Sequence, residues 1–393
     1  MKIGIMTLWF YKNNYGSVLQ CYALQKYLQD MGHDAFLIRY YPKNSSIIKG
    51  IISNKKWFFK KIINCFNPMK VYNFVSYKWL EIQATKADTL RGFDEFRDRY
   101  IRHSLKIYYS YDELKNAPPI ADVYIVGSDQ VWNTNDEDNI KAFCLDFGDK
   151  NIRRIAWAAS FGGETISDVL MQKMSPLLKQ FEFVSTREES GIEICRKCGI
   201  RDVKVVMDPT ILLDANIYRL LYENTISSIT KQKSKYCFIY LIDEKHNYLM
   251  VKKIYKWAKK KKLAIIYITG NLRYNIKSRI YATIPEWIYL LENSEYVITD
   301  SYHGAIFSLI FHKNFLIIPR SIKRQNDRFF SLFTSFGIEY EYFTDNIDNS
   351  LQKNQMRWDK IDNKINNIKK SCELYEIIEG NINACDFNNC SSL

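Results

Sequence analysis

The sequence contains no uncharged apolar stretch long enough to cross a bilayer, so we predict no membrane span. The apolar run at the N-terminus is too short for a signal peptide, and no small-residue cleavage site follows it. Residues 2–8 are therefore interpreted as the first β-strand of the fold. We expect a cytoplasmic protein.

Standard nucleotide-binding and metal-binding motifs are also missing. No G-x-G-x-x-G pattern and no P-loop Gly-Lys-Ser/Thr occurs, which argues against a standard dinucleotide site and against an ATPase. Of nine cysteines, Cys195 and Cys198 form a close pair, but no second pair has zinc-finger spacing. The spacing of Cys385 and Cys390 does not require a site. We predict no metal, and mostly buried thiols in a reducing cytosol.

Size and charge set the broad class of the protein. Its 393 residues suit two domains, and a hydrophobic content of 47% is enough to fill two cores. The 56 Lys and Arg outnumber the 43 Asp and Glu, giving a formal charge of +13. This excess favours an anionic partner, such as a phosphorylated substrate, an anionic lipid surface or a nucleic acid. A lysine-rich surface that only maintains solubility is the alternative, and charge alone does not choose between them.

Apolar strands alternate with amphipathic helices along the chain. A strand at 2–8, a helix at 18–31 and a strand at 35–40 predict a parallel sheet. Further strands, ending in small or polar loops, are predicted at 121–126, 154–159, 183–186 and 203–207. After residue 215 the pattern restarts, with strands predicted at 236–242, 263–269, 296–299 and 314–318. The predicted fold class is α/β, with two Rossmann-like domains facing a cleft.

We place the N-terminal domain at 1–213, the C-terminal domain at 214–350, and a C-terminal helix and tail at 351–393. A basic helical insertion at about 43–90 interrupts the first domain. Within it, residues 47–66 combine Ile and Phe with lysines around Trp57, a pattern typical of a helix at a membrane surface. A helix packed on its own domain, with solvated lysines, is the alternative.

One polar cluster begins a predicted helix directly after a strand: Asp300, Ser301, Tyr302, His303 and Gly304. The free N–H groups of a helix N-terminus favour phosphate or carboxylate. Gly304 permits close approach, and His303 can exchange protons near neutral pH. A histidine at a helix start also serves often as a cap or a packed side chain.

Arg187 follows a predicted strand and can clamp an anion with two hydrogen bonds. A surface salt bridge with Glu188 or Glu189 is the alternative. Downstream, the loop after the strand at 314–318 carries four cations: Arg320, Lys323, Arg324 and Arg328. Such a run is often only a solvated face, but this one lies in the same domain as His303.

Five segments, taken in order, resemble the polysaccharide pyruvyl transferase family. They are 14–20 (Asn-Tyr-Gly-Ser-Val-Leu-Gln), 127–133 (Gly-Ser-Asp-Gln-Val-Trp-Asn), 160–162 (Ser-Phe-Gly), 187–190 (Arg-Glu-Glu-Ser) and 300–304 (Asp-Ser-Tyr-His-Gly). The likeness extends from residue 1 to about 340. It implies a fold similar to the GT-B glycosyltransferases. It also implies transfer of the pyruvyl group of phosphoenolpyruvate to two hydroxyls of a hexose, giving a cyclic ketal and phosphate.

The resemblance implies phosphoenolpyruvate as co-substrate, no cofactor and no obligatory metal. It implies a glycan acceptor for capsule or exopolysaccharide, carried on a polyprenyl diphosphate, and hence contact with the inner face of the membrane. Nucleic acid is not an expected partner. Carried over by position, the catalytic residues are His303 as acid/base and Arg187 as a donor-binding cation. The other donor-binding residues are Ser301, Gly304, Arg324 and Arg328, and the acceptor-binding residues are Asn14, Tyr15, Gly16, Ser128, Asp129 and Gln130.

Two other classes of function stay open from the sequence. A GT-B-type glycosyltransferase would use a nucleotide-sugar donor and would need contacts for a base and a ribose. A non-catalytic protein that binds nucleic acid or membrane through its basic surface would show strongly salt-dependent binding. That last class explains the charge but not the ordered motifs at strand ends.

Overall fold

The computed structural model describes residues 1–10, 14–42, 89–223, 234–269, 280–321, 323–338, 347 and 356–380. For 244–248 and 323–324 it describes the backbone only. The segment 47–66, nearly all of the predicted insertion at 43–90, and the cysteines at 385 and 390 lie outside the described residues.

The N-terminal half is built on a parallel sheet of seven strands. These are β1 (Lys2–Met6), β2 (Asp34–Tyr40), β3 (His103–Tyr108), β4 (Val123–Val126), β5 (Arg153–Ala159), β6 (Phe183–Thr186) and β7 (Val203–Val205). Their order in space is β3-β2-β1-β4-β5-β6-β7. Because β1 pairs with β2 on one side and with β4 on the other, the strand order reverses at β1. Ligands of open α/β sheets bind at the carboxyl ends of the strands, beside such a reversal.

Several helices of this half begin after a polar N-cap residue. The helices are α1 (Tyr15–Asp30), α2 (Phe93–Tyr100), α3 (Tyr111–Asn116), α4 (Glu137–Phe143), α5 (Asp168–Leu178) and α6 (Glu189–Lys197). Asn14, Ser110, Asp136 and Ser167 each accept a hydrogen bond from a backbone N–H of the helix that follows. The edge strand β3 was not predicted. Its Leu105 is fully exposed, so its apolar residues do not mark one buried face.

The C-terminal half repeats the pattern with four parallel strands. These are β8 (Tyr236–Leu241), β9 (Ala264–Thr269), β10 (Tyr296–Thr299) and β11 (Asn314–Ile317), in the order β11-β10-β8-β9. The helices are α7 (Ala215–Leu220), α8 (Glu244–Lys260), α9 (Ile284–Glu292), α10 (Tyr302–Ile310) and α11 (Asp327–Phe336). The predicted α/β class with two Rossmann-like sheets is confirmed.

Helix α1 joins the two halves through an apolar core. Tyr15 at its start stacks on Trp287 of α9, with ring centroids 5.4 Å apart and 14° between the ring planes. The Tyr15 hydroxyl donates to the carbonyl of Ala282 at 2.6 Å, and both rings are fully buried. The halves are in direct contact here, so the predicted cleft does not extend through this region.

The C-terminal segment returns to the first sheet. The C-terminal helix predicted within 351–393 consists of two helices, α12 (Trp358–Lys370) and α13 (Leu374–Glu379). Leu374, Ile377 and Ile378 share a buried apolar cluster with residues of β1, and Arg153 of β5 donates to the carbonyls of Ile377 and Ile378. Among the helices that the structure describes, none is both long and apolar enough to span a bilayer.

Candidate active site

A buried carboxylate, Asp208, lies where the two halves of the chain meet. Its Oδ1 accepts from the backbone N–H of Thr210 at 3.1 Å and from the Thr210 hydroxyl at 2.7 Å. Its Oδ2 lies 2.8 Å from the Ser128 hydroxyl, 3.3 Å from Arg187 Nη1 and 3.2 Å from His303 Nε2. A single carboxylate oxygen therefore contacts groups from both halves.

The charge state of Asp208 fixes the tautomer of His303. Burial alone would raise the pKa of Asp208, but His303 and then Arg187 outweigh it and hold that pKa below its usual range. An ionised carboxylate only accepts hydrogen bonds, so we assign the proton of the contact to His303 Nε2. In the neutral ring the other nitrogen, Nδ1, is then the hydrogen-bond acceptor, and it lies on the side of Gly16.

The start of helix α1 leaves room for the His303 ring. A Cβ atom at Gly16 would lie 2.1 Å from His303 Nδ1 and 2.2 Å from its Cγ, so only glycine admits the ring here. Asn14 caps the same helix by accepting from the backbone N–H of Ser17 at 3.3 Å. The acceptor-binding role of Asn14 and Gly16 stays a prediction, whereas both the ring and the hydroxyl of Tyr15 are engaged in the core between the halves.

The loop after β4 brings Ser128 to the strand-order reversal. Gly127 has a φ of 114°, and a Cβ atom there would lie 2.1 Å from the carbonyl oxygen of Trp157. The Thr7 hydroxyl, at the end of β1, donates to the Ser128 carbonyl at 3.0 Å. The carboxyl ends of β1 and β4 are thus tied together, and the Ser128 hydroxyl is directed at Asp208.

The next two residues of this loop diverge. The Asp129 side chain is mostly buried, and its Oδ1 lies 3.6 Å from Arg187 Nη1. Gln130 instead accepts from the side-chain amide of Asn133 at 3.0 Å. Of the predicted acceptor-binding residues in this loop, Ser128 and Asp129 therefore belong to the buried polar cluster, and Gln130 contacts its own loop.

Arg187 lies at the centre of this cluster and is fully buried. Its Nε lies 3.2 Å from Glu188 Oε1, and its Nη1 lies 3.3 Å from Asp208 Oδ2 and 3.6 Å from Asp129 Oδ1. The guanidinium also lies over the Tyr302 ring, 4.5 Å from its centroid. Burial disfavours the cation, but Glu188 and then Asp129 more than offset this and raise the pKa of Arg187. The alternative of a surface salt bridge is wrong, because carboxylates neutralise this arginine inside the protein.

Arg328, in the first turn of α11, is a buried cation whose nearby carboxylates, Asp129 and Glu188, only partly offset the effect of burial on its charge. Only 7% of the residue is exposed, and its Nε and Nη2 have no hydrogen-bond partner. No ion pair reaches it from the described part of the chain. Burial, and then the nearby charges of Arg320 and Arg187, lower the pKa of Arg328 to about 9. A buried guanidinium with unpaired donors is suited to a bound anion.

Arg320, another cation of this loop, is less suited to that role. Its Nε donates to the carbonyl of Asp300 at 3.0 Å, and its Nη1 donates to Gln325 Oε1 at 3.0 Å. The side chains of Lys323 and Arg324 lie outside the described residues, and donor binding by Arg324 stays a prediction. Between the two arginines of the loop whose side chains are described, the geometry favours Arg328.

Ser301 and Gly304, both predicted to bind the donor, have structural partners in the first turn of α10. The Ser301 hydroxyl accepts from the backbone N–H of Gly304 at 3.3 Å and so caps the helix. A Cβ atom at Gly304 would lie 2.6 Å from Thr299 Oγ1, so the helix packs closely on β10. Both residues help to position His303, and their contact with a donor stays a prediction.

Sequence reasoning did not place Asp208, Glu188 or Tyr302 in the site. Asp208 has a usable signal, since it follows an apolar strand directly and precedes Pro209. Glu188 Oε1 accepts from the Ser160 hydroxyl at 2.8 Å, and burial raises its pKa in spite of the adjacent arginine. Glu188 and Tyr302 both lie in motifs that the sequence singled out, at 187–190 and 300–304, but no role in the site was predicted for either.

Within the described residues, no further side chain joins the cysteine pair in a group that could hold a metal ion. Cys195 and Cys198 are buried in the N-terminal core, and burial raises the pKa of both thiols. The described ranges contain no group of three or more His, Cys, Asp or Glu side chains placed to hold a metal ion. The expectation that no metal takes part stays a prediction.

Comparison with known proteins was made on the sequence and on the fold. A family model described as "Polysaccharide pyruvyl transferase" matches residues 14–322. The comparison with curated proteins found no match. Among solved structures, UDP-N-acetylglucosamine 2-epimerase from Rickettsia bellii has 11% identity and a TM-score of 0.48, over 97% of this chain and 98% of its own.

Two further solved structures are similar in the same way. UDP-GlcNAc 2-epimerase from Methanocaldococcus jannaschii, in complex with UDP-GlcNAc and UDP, has 14% identity and a TM-score of 0.47, over 94% of this chain and 100% of its own. The Streptomyces sp. SF2575 glycosyltransferase SsfS6 has 9% identity and a TM-score of 0.43, over 96% and 99%. These similarities concern the fold alone. The predicted GT-B-like architecture is confirmed by two parallel α/β sheets that meet at the site.

We predict that Gly16→Ala destabilises the protein by about 1–3 kcal/mol, because the new methyl group overlaps the His303 ring. Urea unfolding of the wild type, Gly16→Ala, His303→Ala and the double variant measures this coupling. In the His303→Ala background the added methyl should cost less than about 0.5 kcal/mol. If Gly16→Ala lowered the free energy of unfolding equally in the wild type and in His303→Ala, the His303 ring would not be what excludes a side chain at residue 16.

We predict that Asp208→Asn costs about 3–5 kcal/mol at pH 7, because it leaves buried cationic donors without their carboxylate. The folded-state pKa of Asp208 lies below its unfolded value of about 3.9, so its stabilisation is present above that pH and lost below it. Unfolding curves should show the same deficit at pH 7 and pH 5, shrinking only below about pH 4. Asp98→Asn, at a side chain that is 76% exposed, is the control and should change little. A deficit that does not depend on pH would contradict the assignment of an ionised Asp208.

Proposed function

Because this chain belongs to the polysaccharide pyruvyl transferase family, we propose that it transfers the pyruvyl group of phosphoenolpyruvate to two hydroxyls of one hexose. The product is a cyclic ketal on a surface-polysaccharide precursor, together with free phosphate. The observation that carries this proposal is Arg328, a buried guanidinium with unpaired donors. It lies within electrostatic range of Arg187 in the cluster around Asp208 and His303.

Phosphoenolpyruvate carries a carboxylate and a phosphate, so its site must supply positive charge. We assign this role to Arg328, since Arg187, although its Nη2 also has no hydrogen-bond partner, already pairs with Glu188, Asp129 and Asp208. Arg187 then holds these carboxylates in place, and Arg328 binds the donor. One buried cluster would then contain an arginine that pairs with carboxylates of the protein and a second arginine that binds the donor.

We assign the acid/base chemistry to His303. A proton delivered from the imidazolium to the methylene carbon of phosphoenolpyruvate leaves an electrophilic C2, which one sugar hydroxyl attacks as its proton returns to the imidazole. A second hydroxyl of the same sugar then attacks C2, the C–O bond to phosphate breaks, and the second proton leaves with phosphate. Asp208 holds Nε2 throughout, which orients the ring.

The acceptor is proposed to be a hexose of a precursor carried on a polyprenyl diphosphate at the inner face of the membrane. The carboxyl ends of β1 and β4, tied together by Thr7 and Ser128, form the acceptor side of the site. Asp129 beside them supplies a carboxylate that sugar hydroxyls can donate to. We propose that no cofactor and no metal take part.

We predict that the purified protein releases phosphate from phosphoenolpyruvate only when an acceptor from a panel of lipid-linked hexoses is present. His303→Ala should lower the rate by roughly 10²–10⁴-fold, the range expected for a lost general acid/base. His312→Ala, at a side chain that is 45% exposed, is the control and should keep the rate. Full activity of His303→Ala would remove the proposed mechanism. Saturable binding of a nucleotide sugar, together with no phosphate release from phosphoenolpyruvate in the presence of any acceptor, would favour a glycosyltransferase instead.

We predict opposite effects of Arg328→Met on stability and on donor binding. An uncompensated buried charge is costly, so the variant should be more stable than the wild type at pH 7. The charge is present in the folded state below about pH 9, so this advantage should shrink as the pH rises above 9.

Thermal unfolding with and without phosphoenolpyruvate tests the same variant. The ligand should raise the Tm of the wild type and of Arg357→Met, whose side chain is 66% exposed in the parent. It should not raise the Tm of Arg328→Met. An unchanged response of Arg328→Met would show that another residue binds the donor.

A further inference from the structure

Four aromatic side chains form a cluster that the proposed mechanism does not use. They are Trp9, Phe10, Tyr41 and Tyr109, and we call them the aromatic platform. Trp9 contacts Phe10 and Tyr41 edge-on, with ring centroids 6.4 and 6.3 Å apart. Tyr41 contacts Phe10 at 5.2 Å and Tyr109 at 6.4 Å. Three of these rings are half-buried and Tyr109 is 37% exposed, so the cluster lies at the surface.

The platform lies on the same edge of the sheet as the catalytic cluster. Trp9 and Phe10 follow β1, Tyr41 follows β2 and Tyr109 follows β3, and these strands are adjacent and parallel. The polar cluster occupies the continuation of this edge, at the ends of β4 to β7. Trp9 follows β1, and Gly16, which contacts the His303 ring, lies in the first turn of α1, the helix that comes next in the chain.

The Trp9 ring is held in place before any ligand binds. Its indole N–H donates to the carbonyl of Tyr40 at 2.9 Å, and the Arg97 guanidinium lies 5.8 Å from the ring centroid. The Ser17 hydroxyl donates to the Leu8 carbonyl and so fixes the base of the same segment to α1. A ring that is already ordered loses little conformational freedom on binding a ligand.

We propose that the aromatic platform binds the glycan acceptor by stacking against the apolar C–H face of a sugar ring next to the reacting hexose. The face of an aromatic ring is electron-rich, and it attracts the weakly positive C–H groups that a pyranose presents on one face. The platform would then hold the glycan along the carboxyl edge, with its terminal hexose at His303. This inference rests on the proposed pyruvyl transfer, and it assigns a specificity-determining site to it.

Aromatic side chains also occur where proteins contact membranes, but the surroundings of the platform favour a glycan. Tyr40, whose carbonyl holds Trp9, donates its hydroxyl to Asn139 at 3.1 Å. Asn139 lies in helix α4, whose N-cap is Asp136 and whose first turn carries Glu137 and Asp138, with Glu137 paired to Lys141 and Lys173. The charges beside the platform are therefore mixed, and what favours a glycan is the position of the platform on the edge of the sheet that also carries the catalytic cluster.

The test compares two exposed tyrosines on opposite edges of the same sheet. Tyr109→Ala removes a ring of the platform. Tyr375→Ala removes a ring that is 41% exposed and stacks on His33, at the amino edge. Binding of soluble oligosaccharides ending in galactose, glucose or mannose is measured by calorimetry on the wild type and both variants. We expect Tyr109→Ala to weaken binding roughly three- to tenfold, and Tyr375→Ala to leave it unchanged.

Phe10→Ala removes another ring of the platform and should weaken oligosaccharide binding to the same extent as Tyr109→Ala. The conclusion then does not depend on the correct folding of a single variant. Binding of vesicles of anionic phospholipid is measured in parallel. Loss of vesicle binding without loss of oligosaccharide binding would assign the platform to the membrane and overturn the proposal. So would equal effects of the two tyrosine variants, or no oligosaccharide binding by the wild type.

The experiments can contradict the proposed function and the proposed role of the platform independently of each other. If oligosaccharides bind at the platform but phosphoenolpyruvate gives no phosphate, the pyruvyl transfer is wrong and the glycan site stands. If acceptor-dependent phosphate release is normal in Tyr109→Ala and in Phe10→Ala at limiting acceptor, the transfer stands and the platform is not its acceptor site.

Discussion

The site is organised by one buried carboxylate that contacts both halves of the protein. Asp208 Oδ2 receives Ser128 and Arg187 from the first half and His303 from the second. A buried anion is tolerated only when it is fully paired, so these three side chains must keep their relative positions for the fold to be stable. The orientation of the proposed acid/base is thereby linked to the packing of the two halves, and it does not depend on a flexible loop.

Charge in the cluster is divided between two arginines with different surroundings. Arg187 lies among carboxylates, and its charge is satisfied within the protein. Arg328 is also buried, Arg320 and Arg187 disfavour its charge more than Asp129 and Glu188 favour it, and its Nε and Nη2 have no hydrogen-bond partner. The free energy lost by leaving such a donor unpaired is recovered only when an anion binds. This contrast explains how a site with so many carboxylates can still be proposed to take a phosphorylated, carboxylated donor.

Close packing at the start of helix α1 connects stability to the site. Tyr15 stacks on Trp287 in the core between the halves, and the next residue, Gly16, lies against the His303 ring. The first turn of α1 therefore carries an aromatic ring of the core next to a glycine that leaves room for the imidazole. The Ser17 hydroxyl of the same turn donates to the carbonyl of Leu8, which precedes Trp9 of the aromatic platform.

The sequence by itself determined the α/β class, most strands, the restart after residue 215 and the family. These follow from local periodicity, from residues at strand ends and from the order of short motifs. It also identified His303, Arg187 and Arg328 as candidates. Only the tertiary structure showed that Arg187 is neutralised and Arg328 is not, that Asp208 joins His303 to Arg187, and that Gly16 faces the imidazole. These are contacts between residues far apart in the chain, and the charge state of a buried group depends on such neighbours in space and not on its neighbours in sequence.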